Sequence, residues 1–93
     1  MPKVLIIHEV EDYDVWKSVF DQAAGIRKAA GELRYQVLKD QNDRNKIVHF
    51  SEWTSHREAR NFFESPELVR IRQEAGVKSP AFIYLDLVDE GVL

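Results

Sequence analysis

Val4-Leu5-Ile6-Ile7-His8-Glu9-Val10 carries apolar residues on both parities of an extended chain. Successive side chains of a strand point to opposite faces, so this run reads as a central strand covered on two sides. Beyond it the spacing becomes helical. Asp12 is placed to cap a helix and Asp14 falls in the first turn. Tyr13, Trp16, Val19, Phe20, Ala23, Ile26 and Ala30 then recur on one face, and Gly31 stands where a glycine would end that helix.

Leu33 to Lys39 reads as a second strand, with Leu33, Tyr35 and Val37 on one parity. The polar run Asp40-Gln41-Asn42-Asp43-Arg44-Asn45 predicts a hairpin turn, and Lys46 to Trp53 a third strand. Ser55-His56-Arg57-Glu58 fits a capping box opening a second helix, which Ser65-Pro66 breaks and restarts before Gly76 ends it. Ala81 to Val88 reads as the fourth strand.

Two strand–helix–strand units joined by a hairpin give an α+β, ferredoxin-like βαββαβ domain spanning residues 1–93. Its four-stranded antiparallel sheet carries both helices on one face. The right-handed crossover rule puts strands one and three in the centre. The other face then shows apolar residues from several strands, and an exposed patch of that size marks an interface. A second copy packed face to face through the open sheet would bury it as a homodimer.

Composition narrows the function. A formal charge of −3 argues against a nucleic-acid footprint. The absence of cysteine excludes disulfides, thiol catalysis and thiolate metal sites. No apolar run nears the roughly 20 residues that cross a bilayer. The amino terminus enters a strand-like run at once, without the shape of a signal peptide. A cytoplasmic protein is expected, with neither membrane nor nucleic-acid partners.

The residues that could carry chemistry are few. His8 interrupts an apolar strand and His49 lies on the neighbouring strand, so the two imidazoles could face one pocket as catalytic groups, or be satisfied histidines of the core or the dimer interface. A metal there would need a third ligand, and Glu52 falls on the opposite parity from His49, so no metal is expected. Trp16, Phe20 and Phe62 would project toward the sheet and could wall a pocket for a flat apolar ligand, or simply form core. Trp53 ends its strand beside the second helix cap, where packing and ligand contact explain it equally. Asp86 interrupts the fourth strand and reads as a pocket acid or an interface charge; Tyr84 shares its parity and could bond to either.

Val10 to Lys17, the step Glu52-Trp53-Thr54-Ser55, and Ala59 to Leu68 with its Ser65-Pro66-Glu67-Leu68 ending carry a family resemblance. The chain resembles the dimeric α/β-barrel superfamily and, within it, antibiotic-biosynthesis-monooxygenase-like domains. The resemblance implies a homodimer holding a small aromatic or polyketide-like ligand between sheet and helices. It implies in some members a cofactor-independent oxygenase, and in others a non-catalytic small-molecule-binding or stress-responsive dimer. Oxygenase members line the pocket with mixtures of Asn, Trp, Tyr and Arg, for which Trp16, Trp53, Tyr35, Tyr84 and Arg27 are available here. Haem-degrading members use an Asn, a Trp and a His where this chain has His8, Phe62 and Arg72, so haem degradation is not expected.

Overall fold

The computed structural model describes residues 1–93. Its elements are β1 (Pro2–Val10), α1 (Tyr13–Gln22), α2 (Ala24–Ala30), β2 (Glu32–Asp40), β3 (Asp43–Trp53), α3 (His56–Phe63), α4 (Pro66–Glu74) and β4 (Val77–Asp86). The strands form one antiparallel sheet in the order β2-β3-β1-β4, with β1 and β3 central as the crossover rule requires. No helix is long and apolar enough to cross a membrane.

Parity divides the sheet. Val4, Ile6, His8 and Val10 of β1 and Ile47, His49, Ser51 and Trp53 of β3 are buried under the helices. Leu5, Ile7, Val48 and Phe50 point to the opposite side, joined there through the register by Leu38 of β2 and Ile83 of β4. No helix covers that side, and Leu38 and Ile83 are 50% and 40% exposed.

Local signals set the boundaries. The Asp12 carboxylate accepts the amides of Asp14 and Val15 at 2.8 and 3.3 Å. Ser55 Oγ accepts the Glu58 amide at 3.0 Å, and Ser65 Oγ accepts that of Leu68 at 3.3 Å, with Pro66 opening α4. Gly31 ends α2 at φ +118°, and its carbonyl accepts the Thr54 amide at 3.0 Å.

Three boundaries differ from the sequence reading. The first helix is broken at Ala23 into α1 and α2. The Phe20 carbonyl, which would continue the ladder, instead accepts from the Ala23 amide and from the Arg27 guanidinium. A side chain inserted into the ladder in this way bends a helix. Beyond the bend Arg27 turns inward, 5% exposed, and Ile26 lies outward at 37%. The hairpin turn shrinks to Gln41 and Asn42, because the side chains of Asp40 and Asp43 bond the amides of Asn42 and Asn45 and let the strands run on. β4 starts four residues early, at Val77, and ends at Asp86.

A Cβ built on Gly31 would meet Thr54 Oγ1 at 2.6 Å, on top of the left-handed backbone that glycine alone adopts freely. Gly31→Ala is therefore expected to destabilise the domain by about 1–3 kcal/mol in urea denaturation. An unchanged midpoint would show that α2 does not end as described.

Candidate active site

The layer between sheet and helices does not close into one core. Val4, Ile6, Trp53, Ala59, Phe62, Phe63 and Leu68 form one buried cluster; Val10, Trp16, Phe20, Ile47 and Ala75 form another. Between them lies a half-enclosed cavity of about 70 Å³. Both clusters contribute to its walls, through Ile6, Phe62, Phe63 and Leu68 on one side and Trp16, Phe20 and Ala75 on the other. The polar groups facing it are His8, His49, Arg27 and Arg72.

His8 stands at an irregularity of the sheet. The β1–β4 register pairs Ile7 with Ala81 and Glu9 with Lys78, so two residues, Ser79 and Pro80, oppose His8 alone. Such a bulge re-aims side chains and often borders functional sites. Ser79 takes φ +44°, and Pro80 has no amide to offer. The His8 imidazole is 5% exposed, and neither of its nitrogens has a partner within the chain. Its ring lies against Trp16, with centroids 5.2 Å apart. Burial, reinforced by the fields of His49 and Arg72, lowers its pKa from 6.5 to about 4. At neutral pH it is an uncharged imidazole with a free acceptor facing an apolar space.

His49 is held differently. Its Nε2 lies 2.8 Å from Glu32 Oε2, and Glu32 Oε1 takes the Arg27 Nε–H at 2.6 Å. All three side chains are buried. The arrangement satisfies the requirement that a buried charge be paired. The Arg27 guanidinium also stacks 3.7 Å over the Phe20 ring, whose neighbour His49 meets it edge-on at 5.0 Å. Glu32 thus fixes the orientation of His49 and the position of the Arg27 guanidinium.

Arg72 reaches the cavity from α4. It donates to the Phe63 carbonyl at 2.9 Å and lies 5.0 Å from the Phe82 ring centroid. It forms no ion pair with any carboxylate of the chain. Burial holds its pKa below the ordinary guanidinium value.

Of the residues singled out in the sequence, His8, His49, Trp16, Phe20 and Phe62 meet at this cavity. Tyr35 is not part of its lining; it is half-exposed and packs on Phe20, with ring centroids 5.3 Å apart. Three others lie elsewhere. Trp53 is fully buried in the first cluster, its indole N–H donating to Ser51 Oγ at 2.8 Å. Tyr84 packs under the Arg60 guanidinium at 4.0 Å, and the exposed Asp86 meets His56 Nε2 at 3.0 Å. Glu32 escaped the sequence reading. Arg27 and Arg72 entered it only through the family resemblance.

Residues 11–74 match the family model of antibiotic biosynthesis monooxygenases. The chain belongs to this family. No curated protein matches it in sequence. Among solved structures it is similar to SnoaB, a cofactor-independent oxygenase from Streptomyces nogalater, at 16% identity and TM-score 0.80, over 96% of this chain and 94% of that one. It is also similar to Rv0793 from Mycobacterium tuberculosis, at 18% identity and TM-score 0.68, over 99% and 100%. At such identities the likeness establishes the shared fold of the family, the ferredoxin-like α+β sheet with its helical layer.

The His8 pKa makes stability depend on pH. The unfolded chain takes up a proton near 6.5 and the native chain only near 4. Between these values the unfolded state binds more protons, so stability rises with pH through that window and is lost as pH falls. Wild-type stability measured by urea denaturation should gain on that of His8→Leu by on the order of 2–3 kcal/mol from pH 4 to pH 6.5. Parallel curves for the two proteins would mean that the imidazole is solvated or bonded.

Proposed function

We propose that this chain is a homodimeric oxygenase of its family, acting without a cofactor on a small aromatic or polyketide-like molecule bound between sheet and helices. The observation that carries the reading is His8: a buried, neutral, unpartnered imidazole facing an apolar cavity. A protein does not leave a buried polar group unbonded without cost, and an unsatisfied one at a cavity suits a ligand that supplies the missing bond.

In the proposed reaction a phenol or enol enters with its ring between Trp16, Phe20 and Phe62. His8 accepts the acidic proton through its free nitrogen. The charge forming on the substrate favours the imidazolium beside it, so the basicity that burial removes is restored as the proton moves. The resulting electron-rich anion donates an electron to molecular oxygen. Recombination forms a carbon–oxygen bond, the His8 imidazolium returns its proton to the peroxide anion, and loss of water from the hydroperoxide leaves a carbonyl. Overall, a substrate methylene and O₂ give C=O and water. Arg27, fixed by Glu32, presents a rigid cation to the developing negative charge.

The uncovered sheet face supports the homodimer. Leu5, Ile7, Leu38, Val48, Phe50 and Ile83 form an apolar surface on the central and edge strands, the face a second copy of the same sheet would match. Localisation in the cytoplasm, and the absence of membrane and nucleic-acid partners, follow the same reading.

Oxygen-electrode assays with naphthols and anthrones test it. Uptake of one O₂ per carbonyl formed is expected, with His8→Ala about 10²-fold slower while its circular dichroism is unchanged. Binding without oxygen consumption would replace the oxygenase with a non-catalytic binding dimer. Full activity in His8→Ala would remove His8 from the mechanism.

A further inference from the structure

The charges around the cavity do not balance. His8 is uncharged at neutral pH, and the Arg27 cation is matched by Glu32, which itself does not line the space. Arg72 is the remaining cation, and no carboxylate faces the cavity to neutralise it. Only one of its five N–H donors has a partner within the chain, the Phe63 carbonyl. Partial burial disfavours this charge. Lining the same cavity is the imidazole whose nitrogens are both unbonded. A neutral ligand would answer the imidazole and leave the guanidinium unmatched.

We infer that the cavity takes an anion: a flat aromatic carboxylate whose ring lies against Trp16, Phe20 and Phe62 and whose charged group sits between His8 and Arg72. This rests on the reading of the cavity as the ligand site and adds the charge of the ligand. A guanidinium offers paired donors that match a carboxylate in plane, and an imidazole N–H can supply a further bond. At about 70 Å³ the cavity is smaller than the roughly 150 Å³ that admits benzene in an engineered core, so the ring must use the mouth as well as the interior. An aromatic acid entered charge first suits that shape. General attraction does not account for such a preference, because the chain as a whole carries −3.

The test is a titration of the isotope-labelled protein with benzoate and with benzamide, which differ in charge and hardly in shape. Resonances of Trp16 and His8 report on the cavity. Benzoate is expected to bind at least ten-fold more tightly than benzamide. The ratio should fall to near one in Arg72→Gln and be partly kept in Arg72→Lys, which retains a cation. The spectra themselves show whether each variant is folded. Equal affinity for the two compounds, or a preference that survives Arg72→Gln, overturns the inference while leaving the cavity as a ligand site. Failure of both compounds to move the Trp16 and His8 resonances at millimolar concentration overturns the inference and the cavity reading together.

Discussion

A sheet that is apolar on both faces, with helices for only one of them, is the constraint from which the rest of this molecule follows. β1 and β3 carry Val4, Ile6, Ile47 and Trp53 toward the helices and Leu5, Ile7, Val48 and Phe50 away from them. A chain of 93 residues has little surplus of buried area to begin with. Leaving the second face in water would forgo roughly 25 cal/mol for each Å² of apolar surface that could be covered. The proposed dimer covers it. The helical layer, relieved of sealing the domain alone, can tolerate a gap between its two apolar clusters.

That gap is kept open by electrostatics as much as by shape. Burying Arg27, Glu32 and His49 together costs desolvation that only close pairing offsets. Once paired through Glu32, Arg27 and His49 line part of the cavity with groups that cannot collapse onto the hydrophobic clusters. The Arg27 guanidinium reaches this position by bending the first helix at Ala23, where it takes up the Phe20 carbonyl. The bulge at Ser79 and Pro80 leaves His8, on the strand beside that of His49, without a paired residue on β4. A helix bend and a strand bulge, on different elements, therefore present a guanidinium cation and a neutral imidazole to one space. One is fixed by a carboxylate and one is free.

Much of this was legible in the sequence, and the exceptions have physical causes. The order of elements, the caps at Asp12, Ser55 and Ser65 and the restart at Pro66 are local signals, and the structure keeps them. His8 and His49 stood out because each is polar within an apolar parity. Arg27 and Glu32 did not, because periodicity assigns a charged residue outward unless its partner is known. Here the partner lies across Gly31 in the next strand. Ile26 was the apolar choice for that turn of helix, and the bend at Ala23 reversed it. Trp53, Tyr84 and Asp86 have side chains suited to a pocket, and parity alone does not say how far along a strand a pocket extends. Arg72 sits in a helix whose apolar stripe is weak, so only its neighbours in space reveal that it faces the cavity.

The central claim is that the uncovered sheet face belongs to a second copy of this chain, and sedimentation equilibrium of the purified protein at micromolar concentration tests it most directly. The account predicts a species of two 10.9 kDa chains, dissociated to single chains when Phe50 is replaced by Asp. A wild-type protein that sediments as a single chain, with Leu38, Phe50 and Ile83 left in water, would contradict it.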